Sequence, residues 1–197
     1  MSEESNVKVV SADCSALGLF SLGLVALVGS ESLLTGEAGP ATAWILCLAA
    51  FAQVWAAGIA FKSNNIFGGT VFGAYGLFWF SMGVTDILGS GFFGSVLSGA
   101  DYAHALFFVC IGYLVFSVLM TYASVYTNKL LVVVVGLITI LFFGLTLQTS
   151  GSGASTAGQW IADISRFVLA IACFYGTGAI TINTMLGRTV WPVGAKK

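Results

Sequence analysis

The chain has 197 residues, of which 58% are hydrophobic and only 8% are charged. A water-soluble domain of this size has too small a core to bury so much apolar surface, so the solvent must be a lipid bilayer. A spanning helix needs roughly 20 apolar residues. Six stretches satisfy this length: 15–34, 41–61, 67–88, 102–126, 129–148 and 160–185. We therefore predict an all-α integral membrane protein with a single six-helix domain over residues 1–197.

The few residues outside the six spans, and the motifs that the sequence lacks, exclude several function classes. There is almost no room for an extramembrane domain, and no GxxxxGK[ST] phosphate loop occurs, which argues against ATP-driven work by this chain. The four cysteines and the one histidine are scattered singly, so we expect neither a metal nor a cofactor. Basic runs are absent apart from Lys196-Lys197. We expect no nucleic-acid partner and no enzymatic activity.

The basic residues predict the orientation in the membrane. In a six-span arrangement, six of the seven basic residues fall on one side of the membrane. Only Arg166 falls on the opposite side, together with the acidic Asp163. The other six share one side: Lys8, Lys62, Lys129, Arg188, Lys196 and Lys197. Because basic loops tend to stay in the cytoplasm, we predict cytoplasmic termini, with segments 1–13 and 188–197 outside the membrane. The start of the chain lacks the basic region of a secretory signal, so the first span is expected in the mature protein.

Two polar residues stand out in the first two spans. Asp13 precedes the first span, where it either caps the helix or, as a carboxylate at the membrane boundary, meets a solute or carries a proton. Both roles remain open for it, whereas Ser15 is best explained as a cap. Gln53 lies in an apolar run of the second span, and a buried amide must find partners. It ties two helices together or donates to a passing anion.

The third span has two different faces when it is numbered as a helix. One face carries glycines, which let a neighbouring helix approach closely in a membrane: Gly69, Gly73, Gly76 and Gly83. The opposite face is largely aromatic: Phe72, Tyr75, Trp79 and Met82. This second face either lines a pathway or contacts lipid and neighbouring subunits.

The sixth span carries a stripe of hydroxyls, with Thr177, Thr181 and Thr184 at helical spacing. Threonine in a membrane helix often bonds back to the carbonyl one turn earlier, and this explanation has at least equal weight with a pathway role. Asn183 has four hydrogen-bonding sites and must reach another helix, water or a solute. No carboxylate is expected in the middle of a span, which argues against sodium coupling or an internal proton relay.

Two separated blocks resemble one known family. The block Asn65 to Phe80 is similar to a third helix rich in glycine and aromatic residues, and the ending Gly187-Arg188-Thr189-Val190-Trp191-Pro192-Val193-Gly194 is similar to a GRTVxPxG motif. Both are features of the acetate uptake transporters, which include bacterial acetate/succinate permeases and fungal acetate and ammonia export proteins. Gln53 and Asn183 also fit the family. Its first-helix signature NPAPLGL survives here only as Leu17-Gly18-Leu19, with Asp13 in place of the asparagine.

The resemblance implies a six-helix protomer with its own pathway, assembled as a hexamer around an axis filled by lipid. It also implies an apolar constriction, which carries over to Leu22, Tyr75 and, less securely aligned, Ile138. Leu22 replaces a residue that is commonly aromatic. The expected pathway residues are Asp13, Leu17, Leu22, Gln53, Tyr75, Ile138, Thr177, Thr181 and Asn183.

The predicted function is passage of acetate or a similar small monocarboxylate across the cell membrane, as a channel or in symport with a proton. Hydroxyl and amide donors of Tyr75, Gln53 and Asn183 would replace the water of the anion. One alternative is a channel for small neutral solutes such as urea, ammonia or acetic acid. Another is a membrane interaction or sensory protein that transports nothing, which requires Tyr75 and Gln53 to face lipid or partner subunits.

Overall fold

The computed structural model describes residues 12–31, 45–89 and 99–194. Its helices are α1 (Ser15–Gly29), a π-helical turn (Ile45–Ala50) that leads into α2 (Phe51–Lys62), α3 (Ile66–Gly89), α4 (Gly99–Ser124), α5 (Lys129–Thr149) and α6 (Ser155–Leu186). Each predicted span overlaps one of the six α-helices. Outside the described residues lie the predicted span ends 32–34 and 41–44, segment 1–11 and residues 195–197.

Four of these helices, α3 to α6, contain stretches long and apolar enough to cross a membrane. The described parts of α1 and α2 are shorter, at 15 and 12 residues. At 1.5 Å per residue, α1 spans about 22 Å, less than the hydrocarbon core of roughly 30 Å. The fold is therefore that of an all-α, multi-pass membrane protein.

Side-chain caps fix the points at which α3 and α5 begin. Asn64 turns the chain after α2 with φ of 58°, a conformation that asparagine tolerates better than most residues. Asn65 Oδ1 then accepts from the Gly68 amide at 2.9 Å, and Asn128 Oδ1 accepts from the Leu131 amide at 2.9 Å. Each contact satisfies an amide that has no partner within its own helix.

The two faces of α3 pack as the glycine pattern predicts. Gly69, Gly73 and Gly76 lie against α2, and a Cβ added to Gly76 would come within 3.0 Å of the Gln53 Cβ. On the opposite face, Phe72 and Tyr75 are only 5% and 2% exposed. The aromatic face therefore points into the protein and not into lipid.

The helices pack in the spatial order α3, α2, α1, α6, α5, α4. α5 and α6 approach closely at Gly144 and Gly158, where each glycine lies against the backbone of the other helix. α3 and α4 are joined by aromatic contacts and by two hydrogen bonds from the tyrosines Tyr75 and Tyr113.

A buried carboxylate, that of Asp163, lies inside α6, where none was expected. α6 begins at Ser155, so Asp163 is two turns into the helix and 5% exposed. Arg166 Nη1 donates to Asp163 Oδ1 at 2.7 Å and to the Gly29 carbonyl at the end of α1 at 3.2 Å. The pair is possible in an apolar bundle because each charge has an opposite charge beside it.

A polar vestibule above an apolar floor

A cavity of about 250 Å³ opens at the end of the bundle where α1, α3 and α5 begin. Polar side chains from the start of α1 and from the α2–α3 and α4–α5 turns form its rim: Asp13, Ser15, Asn65, Thr127 and Asn128. Apolar side chains form its walls and floor: Leu19, Leu22, Phe67, Val71, Phe72, Leu131, Val134, Val135 and Ile138. We call this cavity the vestibule.

Three helix N-termini meet at the rim of the vestibule. At each of them a side-chain oxygen accepts from a first-turn amide: Asp13 from Ser15 at 2.8 Å, Asn65 from Gly68 at 2.9 Å and Asn128 from Leu131 at 2.9 Å. The N-terminus of a helix carries about half a positive charge. Three such ends around one cavity favour an anion there, whereas the carboxylate of Asp13 opposes it.

Asp13 lies at the start of α1, on the rim of the vestibule. Its side chain is exposed, lines the vestibule and bonds to the Ser15 amide. The next residue, Cys14, is buried and donates its thiol to the Ala56 carbonyl of α2 at 3.1 Å. Burial, and then the neighbouring Asp13 charge, raise the pKa of Cys14, so the thiol stays protonated and anchors the rim.

The floor of the vestibule is closed by large apolar side chains from three helices. Leu22 of α1 and Ile138 of α5 are each 2% exposed, and Phe72 of α3 lies beside them on the cavity wall. Two of the three residues expected at the constriction therefore face the same cavity.

Tyr75, the third expected residue, belongs to the next layer. It lies three residues beyond Phe72 on α3, and Phe142 lies four residues beyond Ile138 on α5, so both are one helical turn further from the rim. Their rings stack at 6.0 Å and 17°. The Tyr75 hydroxyl is 2.8 Å from Ser117 Oγ, and both residues are buried. An apolar layer and an aromatic layer thus follow the vestibule in sequence.

Among the described residues, two have buried polar side-chain atoms without a hydrogen-bond partner, Gln53 and, at its Nε, Arg166. The Gln53 side chain is fully buried, yet neither its oxygen nor its nitrogen has a hydrogen-bond partner among the described residues. A buried amide without partners is unfavourable by about 1–3 kcal/mol. Among the described residues, no hydrogen bond therefore supports the explanation that the Gln53 amide ties two helices together.

Four other expected pathway residues lie away from the vestibule. Leu17 and Thr181 are exposed on the outer surface. Thr177 Oγ1 donates to the Cys173 carbonyl one turn earlier at 2.9 Å, which is the back-bonding typical of threonine in a helix, and it also lies 3.3 Å from the Ala16 carbonyl of α1. Asn183 bonds to the tail that follows α6.

Several residues of the site were missed in the sequence. Asn65 and Asn128 each precede a helix by one residue, and an asparagine at that position is a typical N-cap. In a six-span arrangement α1, α3 and α5 begin on the same side, so this signal could have placed both caps at one end of the bundle. Ser117 had no such signal, because its role depends on where Tyr75 of another helix points.

Comparison with known proteins agrees with this architecture. The family model of the GPR1/FUN34/yaaH family matches residues 3–189. The chain belongs to this family. A curated relative, an uncharacterised protein of Methanothermobacter thermautotrophicus, is 28% identical over 92% of this chain and 91% of its own length. Among solved structures, the bacterial acetate channel SatP superposes with a TM-score of 0.84 at 23% identity, covering 94% of this chain and all of that one.

Membership confirms the resemblance to the acetate uptake transporters, and the match to SatP shows that the two share a fold.

Proposed function

We propose that this protein conducts acetate or a similar small monocarboxylate across the cell membrane by channel-like passage. The observation that carries the proposal is the vestibule, in which three helix N-termini surround a cavity with an apolar floor. Family membership and the likeness to a bacterial acetate channel agree with this chemistry.

The proposed pathway has three steps. The carboxylate enters the vestibule, where the amide dipoles of the helix ends partly replace its water. It then passes the narrow layers formed by Leu22, Ile138 and Tyr75, which select for a small apolar tail. The unsatisfied amide of Gln53 offers a hydrogen bond to the carboxylate in the interior.

We further propose that all six helices span the membrane and that both termini are cytoplasmic, which makes the vestibule the inner mouth. The distribution of basic residues supports this orientation, because Lys62 at the end of α2 and Lys129 at the start of α5 both lie near the rim of the vestibule. Arg188 follows α6 on the same side. Cations there raise the local anion concentration. From the resemblance we propose a hexamer, with lipid along its axis.

The proposal is tested by flux of labelled acetate into liposomes that hold the purified protein, with and without an imposed pH gradient. Channel-like passage predicts saturation only at high acetate concentration and flux that follows the acetate gradient when an uncoupler is added. Proton symport predicts that the uncoupler abolishes accumulation. Flux no greater than in protein-free liposomes would refute transport of acetate.

A channel for small neutral solutes is the second candidate, because the floor is wholly apolar and Asp13 places a negative charge at the rim. It predicts flux of acetic acid, urea or ammonia that does not depend on membrane potential. The third candidate, a protein that transports nothing, required Tyr75 and Gln53 to face lipid or partner subunits. Both are buried within the bundle, which argues against it.

A further inference from the structure

The segment that follows α6 folds back on the bundle and joins two helices. Gly187 ends α6 with φ of 63°, the left-handed conformation that glycine adopts readily. From there residues 188–194, which we call the strap, run past α6 to the start of α5. We propose that Asn183, acting through the strap, positions α5 and with it one wall of the vestibule. The positioning of α5 by Asn183 does not depend on the proposed function, but the effect of Asn183 on flux does.

Asn183 holds the middle of the strap through both ends of its amide. Its Oδ1 accepts from the Val190 amide at 2.7 Å and the Trp191 amide at 3.0 Å, and its Nδ2 donates to the Trp191 carbonyl at 2.7 Å. One side chain thus supplies three hydrogen bonds to the backbone of the strap.

Side chains of α6 hold the strap further along. The Trp191 ring stacks on Tyr175 at 5.6 Å and 12°, and it lies against Gly178, where a Cβ would be 2.7 Å from the ring. The Tyr175 hydroxyl donates to the Pro192 carbonyl at 2.9 Å. These contacts lie along one side of α6, so they fix the direction in which the strap leaves Asn183.

The end of the strap caps α5. The Gly194 carbonyl accepts from the Lys129 amide at 3.0 Å and the Val193 carbonyl accepts from the Leu130 amide at 3.1 Å. The third amide, that of Leu131, is satisfied by Asn128. All three first-turn amides of α5 therefore have acceptors, two of which the strap supplies.

The helix that the strap holds forms a wall of the vestibule. Leu131, Val134, Val135 and Ile138 of α5 line the cavity, as does the cap Asn128. Release of the first turn of α5 would let this wall move, and the fit of Ile138 against Leu22 would loosen. Asn183 lies outside the cavity and touches no solute path among the described residues, so its effect on selectivity must pass through the strap.

The test combines hydrogen exchange with flux in the full-length protein. In Asn183→Ala, the amides of Lys129 and Leu130 should exchange about tenfold faster. The strap contacts are already weakened in this variant, so the first turn of α5 opens at a lower free-energy cost. The ratio of propionate to acetate flux should rise over the parent. Tyr175→Phe, which keeps the ring stack and loses one hydrogen bond, should give smaller changes in the same direction. Thr184→Ala, at an exposed neighbouring position, serves as the control.

Unchanged exchange at Lys129 and Leu130 in Asn183→Ala and Tyr175→Phe would overturn the proposal, as would faster exchange that is equal in Thr184→Ala. Faster exchange with an unchanged flux ratio would overturn the link to the vestibule. If the parent carries no acetate, the proposed function fails, and the exchange measurement still decides whether Asn183 positions α5. If Asn183→Ala does not fold, Tyr175→Phe decides the matter alone.

Discussion

The hydroxyl oxygens of Tyr75 and Ser117 lie 2.8 Å apart in the interior of the bundle and join α3 to α4. The Tyr75 ring is held at the same time by stacking on Phe142 and by an edge contact with Phe116. A ring fixed at both its face and its hydroxyl cannot easily rotate out of the way. Its size should therefore matter more for passage than its polarity.

Tyr75→Ala removes this ring and should raise the flux of propionate and butyrate relative to acetate. Loss of a large buried side chain should also lower stability by about 3–5 kcal/mol. Tyr75→Phe keeps the ring and should keep the size selectivity. Flux of a series of carboxylic acids into liposomes, normalised to folded protein, measures the size selectivity of both variants. Tyr122→Ala, at an exposed position on α4, is the control, and selectivity in Tyr75→Ala equal to the control would exclude Tyr75 from the constriction.

Gln53→Leu should separate stability from function. Because the amide lacks partners among the described residues, its replacement by an apolar side chain should leave stability unchanged or raise it by up to about 1–3 kcal/mol. Loss of a hydrogen bond to a charged solute, worth roughly 1.5–3 kcal/mol, should lower acetate flux at least about tenfold. Thermal unfolding and flux are measured on the same samples, with Val54→Leu as a control. A variant that is less stable and fully active would show that Gln53 is a helix tie.

The sequence was sufficient to predict the helices and the two faces of α3, because these depend on local hydrophobicity and on spacing along one helix. Leu22 and Ile138 came from the family resemblance, and both line the vestibule. Asn183 was different, since an amide on α6 can reach a solute, another helix or the chain that follows it. In the structure, the Asn183 amide bonds to the backbone of the strap, and no pattern of side chains in the sequence predicts such a contact. The Asp163–Arg166 pair was missed because the first turns of α6 contain polar residues typical of a loop.

Asp13→Asn tests the charge at the rim of the vestibule. Asparagine keeps the oxygen that accepts from the Ser15 amide, so the helix start should persist while the negative charge is removed. In water, a unit charge about 4 Å from an anion is worth roughly 1 kcal/mol, so half-saturation should move to an acetate concentration about fivefold lower. Salt dependence of acetate uptake should change as well. If both measurements match the parent, Asp13 serves only as a cap.

Gly144→Ala tests the contact between α5 and α6. The added Cβ would lie 2.6 Å from the Ala162 nitrogen and 2.8 Å from the Gly158 oxygen, and backbone atoms cannot move aside as a flexible side chain can. We expect a loss of about 1–3 kcal/mol. Gly136→Ala on the same helix is the matched control, because its Cβ would meet nothing within 4 Å among the described residues and should stabilise the helix by up to about 1 kcal/mol. Thermal unfolding in detergent compares the two, and equal unfolding temperatures would contradict the close packing.

The Asp163–Arg166 pair should show strong coupling in a double-mutant cycle. Asp163→Ala leaves the guanidinium without its carboxylate partner in an apolar bundle, and loss of one partner of a buried pair costs about 3–5 kcal/mol. Arg166→Met should likewise destabilise, because it leaves the Asp163 carboxylate without its arginine and removes the contact with the Gly29 carbonyl. The double variant should lose less than the sum of the single variants, since neither charge is then left alone. Additive losses in thermal unfolding would mean that water already screens both charges and that the pair does not hold α1 to α6.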